Sequence, residues 1–217
     1  MARKLRKEKP LIYVFCEGES EQAYTDFLKK QFADIAVIKR PKKPGLFEEA
    51  KDRFSKDPKF RNSAEETDEI WFFFDVETKD IGKWDQRMKI IKALRKLRKK
   101  PGVRIRLLMT TGCIEYWFML HYKMYAPPLQ SVAEKERVIA EIKTKETDYF
   151  KGDYSTIARI AENYPVAVAN GEKTLHNLLP DGLPGMEDTD ERNKWLCVNC
   201  KTFSNVYEAI NYLESLK

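Results

Sequence analysis

The sequence predicts an α/β fold in which a mainly parallel sheet is flanked by helices. Two short stretches, LIYVF at 11–15 and IWFFF at 70–74, are apolar at every position, as is typical of strands covered on both faces. Helix-like stretches lie between the predicted strands, and strands that alternate with helices form parallel sheets. Beyond residue 125 the pattern is mostly helical, which indicates a C-terminal extension packed on this core.

The other elements follow the same alternation. Weaker strand patterns occupy 34–39 and 103–109. Helical patterns occupy 20–32, 44–54, 83–102, 113–125 and 204–216, the last one after a turn-rich stretch at 179–193. Ser20 is available to cap the first helix, and Pro101 and Gly102 are placed to end the third. We therefore expect a basic leader at 1–10, an α/β core at 11–125 and a mostly helical extension at 126–217.

The composition is that of a globular protein with a heavily charged surface. Of 217 residues, 42% are hydrophobic and 34% are charged, and the net charge is +6. No apolar run approaches the length of a membrane span, and the basic leader is followed by only five apolar residues without a cleavage site. A cytoplasmic location is expected. Four cysteines are too few for a disulfide framework in a chain of this length, so reduced thiols are expected.

Acidic residues follow both of the strongest strands. Glu17 and Glu19 follow the first, and Asp75 and Glu77 follow the later one. Functional groups of open parallel sheets gather beyond the carboxyl ends of the strands, so Glu17, Asp75 and Glu77 are expected to meet. Like charges resist joint ionisation, and a hard cation such as Mg²⁺ or Mn²⁺ removes that conflict.

This pattern is typical of metal-assisted phosphoryl transfer or phosphodiester hydrolysis, in which the metal neutralises charge on the phosphate and a carboxylate moves a proton. The alternative for each acid alone is a helix cap or a solvated turn residue, because Asp and Glu favour both positions. Both interpretations stay open at this point.

Three segments resemble the RloB-like family and occur in its order. CEGESEQAYTDFLK at 16–29 is similar to its CEG motif, which is followed by a glutamate and an aromatic residue. EIWFFFDVETKD at 69–80 resembles its strand ending in Asp-x-Asp, and GCIEYWFMLHY at 112–122 is similar to its segment with Asn-Pro-Cys-Phe-Glu, Trp and Leu-Leu-His. The resemblance extends from about residue 11 to the C-terminus.

The resemblance implies a Toprim-like core and Mg²⁺-dependent cleavage or joining of nucleic-acid backbones. Carried onto matching positions, Glu17 is implied as a general acid/base or metal ligand, and Asp75 and Glu77 as metal ligands. Glu77 stands where the family has a second aspartate, which lengthens the ligand by one methylene. TGCIE at 111–115 replaces Asn-Pro-Cys-Phe-Glu, so the turn into the next helix is expected to differ.

The function expected from this resemblance is that of a metal-dependent nuclease, acting on DNA or RNA in prokaryotic anti-phage defence, with an ATPase encoded nearby as a partner. The alternative is a non-catalytic Toprim-like scaffold that binds nucleic acid or the ATPase. Homo-oligomerisation is left open. Glu115 is a candidate fourth catalytic acid. The equal alternative is that Glu115 only stabilises its helix, as an acid at the N-terminus that complements the helix dipole.

A strongly basic segment is the candidate nucleic-acid surface. Residues 83–106 carry eleven lysines and arginines and one acid, Asp85. Apolar residues recur at helical spacing, so one face is expected to pack on the sheet and the other to contact phosphates, although a merely solvated face is the alternative. The predicted contacts are Lys83, Arg87, Lys92, Arg95, Lys96 and Lys99.

Two smaller constellations carry no chemistry in this interpretation. His121, six residues after Glu115, is expected to be a hydrogen-bonded, partly buried residue rather than a catalytic one. Cys197 and Cys200 form a single C-x-x-C, and a structural zinc site needs four ligands, so chance spacing is the better account.

Overall fold

The computed structural model describes residues 9–217, so most of the predicted basic leader, 1–8, lies outside the described residues. Within this range four strands form one sheet in which all strands are parallel. They are β1 (Leu11–Cys16), β2 (Val37–Lys39), β3 (Thr67–Val76) and β4 (Arg104–Thr111). The predicted α/β class with a parallel sheet is confirmed, and the architecture is consistent with a Toprim-like core.

The order of the strands creates a switch point in the middle of the sheet. The order is β2-β1-β3-β4, so the chain winds to one side from β1 to β2 and to the other side from β3 to β4. The winding reverses between β1 and β3. Open α/β sheets bind ligands beyond the carboxyl ends of the strands at such a point.

Ten α-helices surround the sheet within residues 9–217. They are α1 (Glu19–Gln31), α2 (Phe47–Lys56), α3 (Pro58–Asn62), α4 (Trp84–Leu94), α5 (Ile114–Leu120), α6 (Val132–Lys145), α7 (Tyr154–Ala161), α8 (Tyr164–His176), α9 (Asp190–Asn199) and α10 (Tyr207–Ser215). None of the helices in this range combines the length and the apolar character that a membrane crossing requires.

Different helices cover the two faces of the sheet, because side chains alternate along each strand. On one face, Phe72 of β3 stacks on Phe47 of α2, with ring centroids 4.2 Å apart. On the other face, Phe73 contacts Tyr24 of α1 at 6.1 Å. Tyr24 in turn stacks on Phe118, which brings α5 to the same face as α1. α1 and α5 therefore cover the same face of the sheet near the carboxyl end of β3.

The helical C-terminal extension packs on the core and covers the outer edge of β4. Ser204 forms an antiparallel bridge with Thr110 of β4. The side chain of Asn205 accepts a hydrogen bond from the N–H of Met109 at 2.6 Å and donates one to the carbonyl of Leu107 at 2.8 Å. An exposed strand edge is a site of unwanted pairing, and these contacts protect the edge of β4.

Several local predictions differ from the structure. The helix predicted over 113–125 ends at Leu120, and Asp75 lies within β3 instead of after it. The third predicted helix ends at Leu94, not at residue 102, because the run of bases that follows places like charges at helical spacing. The predicted strand at 34–39 pairs only over Val37–Lys39. Ser20 does not cap α1: Gly18 is the N-cap residue, and the Ser20 hydroxyl accepts a hydrogen bond from the N–H of Gly152 instead.

Candidate metal site

Two of the predicted acids meet at the switch point between β1 and β3. Glu17 directly follows β1, and its N–H donates to the carbonyl of Phe73 at 2.9 Å, which extends the pairing of the two strands. The carboxylate Oε2 of Glu17 accepts a hydrogen bond from the N–H of Asp75 at 3.0 Å. This bond holds the Glu17 carboxylate over the end of β3, beside the Asp75 side chain.

Glu115 reaches the same region from the first turn of α5. The turn before this helix depends on Gly112, which has a φ of 79° and donates its N–H to the carbonyl of Val76. A Cβ at this position would lie 2.8 Å from the carbonyl oxygen of Leu129, so only glycine fits without strain. Glycine here replaces the proline that the family resemblance predicts, and the turn still leads into a helix with Glu115 at its start.

The Glu115 side chain is fully buried. The hydroxyl of Tyr149 donates to its Oε1 at 2.8 Å, and the Lys151 ammonium lies 3.6 Å from the same atom. Its Oε2 has no hydrogen-bond partner within residues 9–217. A buried acceptor without a partner is rare in folded proteins and calls for an explanation, such as a bound ion.

Glu21 is a fourth acid at this place, and the sequence analysis did not select it. It lies in the first turn of α1 and is buried. Burial raises the pKa of Glu21 to about 7, and the negative charges of Glu17 and Glu115 add to this effect. The sequence spacing could have predicted its burial. Glu21 lies three residues before Tyr24 and seven before Leu28, on the same face of α1, and both of those residues belong to the core.

Asp75 completes the group. Its Oδ1 is buried and has no hydrogen-bond partner in the described part of the chain. Burial, followed by the charges of Glu21, Glu17 and Glu115, raises the pKa of Asp75 well above its ordinary value. We call Glu17, Glu21, Asp75 and Glu115 the acid cluster. Three separate segments contribute these carboxylates, and their charges act against one another.

Glu77, a predicted metal ligand, has other partners. Its carboxylate forms ion pairs with Lys79 and Lys135. Burial alone would raise the pKa of Glu77, but hydrogen bonds from Lys135 and Lys79 bring it below its ordinary value. Glu77 is therefore already neutralised by the protein. It would have to leave both lysines before it could bind a cation.

The acid cluster has the donor chemistry of a site for a hard divalent cation. All its side-chain donors are carboxylate oxygens, which Mg²⁺ and Mn²⁺ prefer, and two of these oxygens are buried without partners. Within residues 9–217, however, no group of three or more His, Cys, Asp or Glu side chains is arranged so that it could hold a metal ion. The ligand types fit a cation, whereas a closed coordination shell is not formed.

His121 is hydrogen-bonded, as predicted, but it is fully and not partly buried. It lies at the end of α5, where its ring nitrogens bond to the Tyr24 hydroxyl at 3.2 Å and to the Trp117 carbonyl at 3.0 Å. Burial lowers its pKa to about 4, so the ring is neutral at pH 7. Cys197 and Cys200 are free and buried. Burial raises the pKa of the Cys197 thiol to about 12, which makes it unreactive.

Part of the basic segment is engaged in structural contacts. Lys83 and Arg87 both pair with the buried Asp80, at 2.7 Å and 3.1 Å. The Arg87 guanidinium also lies over the ring of Phe74, 5.0 Å from its centroid. Arg95 forms two hydrogen bonds with Asp190 on α9, at 2.8 Å and 2.6 Å. These contacts fix α4 and α9 to the sheet.

Lys92, Lys96 and Lys99 are exposed and form no ion pair within the described residues. The neighbouring Arg98 pairs with Asp68 at the beginning of β3, whereas the acids follow the strands' carboxyl ends. A strand of ten residues spans about 30 Å. Lys92, in the last turn of α4, and Lys96 and Lys99, which flank Arg98, therefore lie toward the amino ends of the strands, away from the acid cluster.

Fold and site together define the class: an α/β protein with an acidic cluster at the switch point of a parallel sheet. The family model described as RloB-like protein matches residues 12–213, so the chain belongs to the RloB-like family. The match includes all three segments on which the sequence resemblance was based. The comparison with curated proteins gives no match.

Proposed function

We propose that the protein is a metal-dependent nuclease that hydrolyses phosphodiester bonds of DNA or RNA. The observation that carries this proposal is the convergence of four carboxylates at the switch point between β1 and β3, two of them with buried oxygens that lack partners. Such an arrangement costs stability unless a cation is bound, because each charge opposes the ionisation of the others. An unfavourable cluster of titratable groups at the switch point of a parallel sheet favours a functional role.

Mg²⁺ or Mn²⁺ is the proposed cofactor. Asp75 and Glu17 would hold the ion, with Glu21 and Glu115 beside them, and Glu77 would join only after leaving its lysines. When bound, the ion would neutralise charge on the phosphate and activate water. Glu17 is the exposed member of the cluster, so it is the one placed to exchange a proton with solvent. The backbone N–H of Asp75 orients the Glu17 carboxylate for that role.

The proposed biological setting comes from the family resemblance. It is prokaryotic defence against phage, in the cytoplasm, with an ATPase encoded nearby as a partner and nucleic acid as the substrate. Four buried, free thiols are typical of a reducing compartment, which supports the cytoplasmic part of this proposal.

A second candidate is a scaffold that binds nucleic acid or the ATPase and performs no chemistry. Two observations favour it. Glu77 is neutralised by Lys79 and Lys135, and no ligand set within residues 9–217 is already arranged around a cation position. A scaffold of this kind would have no carboxylate-dependent affinity for Mg²⁺ or Mn²⁺.

The test compares the wild-type protein with Glu17→Gln and Asp75→Asn on plasmid DNA and on total RNA, with Mg²⁺, with Mn²⁺ and in EDTA. We expect metal-dependent cleavage that falls by roughly 100-fold or more in both variants, as for the loss of a catalytic carboxylate. Glu19→Gln is the matched control, because Glu19 is exposed in the same first turn of α1. Unchanged cleavage in Asp75→Asn would remove the acid cluster from the mechanism.

A calorimetric titration with Mn²⁺ separates the two candidates. The nuclease proposal requires binding that Asp75→Asn weakens. Binding of nucleic acid without any metal affinity that depends on Asp75 would favour the scaffold.

A further inference from the structure

We propose that a cationic groove along the β2 edge of the sheet binds the phosphate backbone of a nucleic acid and leads it to the acid cluster. The inference rests on the proposed function for the identity of the substrate. Its test measures binding in the absence of metal, so its outcome is separate from that of the cleavage test.

The groove is a cavity of about 570 Å³ between α1, the segment after β2 and the end of α2. Tyr13 and Phe60 form its floor. Six basic side chains line it, which we call the β2 groove: Lys29, Lys39, Arg40, Lys42, Arg53 and Lys59. Only two acids, Asp26 and Asp57, share the cavity, so its lining carries a formal charge of +4.

Both acids of the β2 groove are already neutralised. Asp26 forms an ion pair with Arg40 at 2.6 Å, and Asp57 pairs with Arg53 at 2.9 Å. The excess charge therefore belongs to the lysines. Within residues 9–217 none of the four forms an ion pair with a carboxylate of the protein, and three of them are exposed. These three are Lys29, Lys42 and Lys59.

From the β2 groove the chain continues toward the carboxyl end of β1, where the acid cluster begins. Lys39 is the last residue of β2, and the chain then runs toward the end of the sheet at which the strands finish. On this path the carbonyl of Pro41 accepts a hydrogen bond from Gln22 of α1, and the N–H of Gly45 donates to the carbonyl of Cys16 at 2.8 Å. Cys16 ends β1 and precedes Glu17. Tyr13 of β1 lines the groove four residues before Glu17, so the floor of the groove and the acid cluster lie roughly 13 Å apart along the same strand.

The type of charge indicates a nucleic-acid backbone and not a single anion. A lysine ammonium is a mobile point charge that suits contacts without sequence preference, whereas the two arginines of the groove, which could clamp one phosphate in a bidentate manner, are bound to Asp26 and Asp57. Several lysines along one groove match a chain with one charge about every 3.4 Å. Inorganic polyphosphate shares this chemistry, so the test includes it.

The experiment measures binding of fluorescein-labelled single-stranded 30-mers of DNA and RNA by anisotropy, in EDTA, from 50 to 500 mM salt. The groove variant is Lys42→Gln with Lys59→Gln. The matched control is Lys143→Gln with Lys173→Gln, two exposed helix lysines, which changes the net charge equally. A third variant carries Lys96→Gln with Lys99→Gln, near the amino end of β3.

We expect the groove variant to weaken binding by roughly 10- to 30-fold at 0.1 M salt and to reduce the slope of log K against log salt by about 1.4, since each phosphate contact on a single strand contributes about 0.7. The Lys143 and Lys173 control should stay within twofold of wild type. Equal weakening in that control, or a larger loss in the Lys96 and Lys99 variant than in the groove variant, would overturn the proposal.

Unlabelled polyphosphate of matched charge serves as the competitor. Binding of polyphosphate without binding of either 30-mer would overturn the assignment to nucleic acid. Failure of the proposed function would look different. A wild-type protein that binds the 30-mers through the β2 groove but cleaves neither DNA nor RNA would contradict the nuclease and leave the proposal for the groove intact.

Discussion

Replacing Glu21 by Gln should make the protein more stable at neutral pH. Glu21 is buried near Glu17 and Glu115, and its pKa is raised to about 7 from an ordinary value of 4.5, first by burial and then by these charges. For a carboxyl whose pKa is raised on folding, the folded state loses stability as the pH rises from the ordinary value through the raised one. Glutamine keeps the size of the side chain and removes the charge.

The size of the effect follows from the shift. From 4.5 to about 7 is about 2.5 units, and each unit corresponds to 1.36 kcal/mol, so the charge of Glu21 costs about 3 kcal/mol above pH 7. For a protein of 217 residues, 1 kcal/mol changes the melting temperature by about 2–4 °C. We therefore expect Glu21→Gln to raise the melting temperature by roughly 6–12 °C at pH 8 and to have little effect at pH 4.5.

The assay is thermal unfolding followed by circular dichroism at pH 4.5, 6 and 8 in EDTA. Glu19→Gln is the control, because it removes an exposed acid from the same first turn of α1 and loses the same helix-dipole interaction. A Glu21→Gln protein that is equally stable or less stable than wild type at pH 8 would refute the argument that the acid cluster is under electrostatic strain.

Three further predictions concern buried polar contacts of the fold, each measured by urea unfolding at pH 7. Arg106→Leu should cost about 3–5 kcal/mol, because it leaves the buried carboxylate of Glu69 without its cationic partner, with only the Trp71 indole N–H still bonded to it; a cost below 1 kcal/mol would contradict this. Asn205→Ala should cost about 2–4 kcal/mol, since two backbone groups of β4 lose their partners. Tyr149→Phe should cost about 1–3 kcal/mol by removing the hydroxyl that bonds to Glu115, and an unchanged midpoint would show that this bond contributes nothing.

The sheet was predictable from sequence because its central strands carry their own signal. β1 and β3 are continuously apolar, and a strand with this pattern must be buried on both faces. The positions of Glu17 and Asp75 followed, since they stand directly at the ends of these strands. Glu115 was selected because it begins a helix that follows a strand, with support from the family resemblance, and the structure brings it to the same place.

Electrostatic partners were harder to predict, because they come from distant parts of the chain. The sequence shows that residues 83–106 are basic, but Arg95 is bound to Asp190, which lies 95 residues further along. Glu77 likewise meets Lys135 on α6, 58 residues away. A count of charges in one segment does not reveal which of them are neutralised.

The β2 groove was not foreseen for a related reason. Its six bases are spread between residues 29 and 59, with acids among them, so no run of charge appears in the sequence. Only the fold brings the end of α1, the segment after β2 and the end of α2 around one cavity. The two acids of the cavity, Asp26 and Asp57, are paired with Arg40 and Arg53, so they do not neutralise the lysines.

The central claim is that the acid cluster binds a divalent cation. Anomalous diffraction from crystals soaked in Mn²⁺, collected at the manganese absorption edge, tests it most directly. We expect a peak between the ends of β1 and β3, in contact with Asp75 and Glu17 and lost in Asp75→Asn. A peak elsewhere, or none at a Mn²⁺ concentration that supports cleavage, would contradict it.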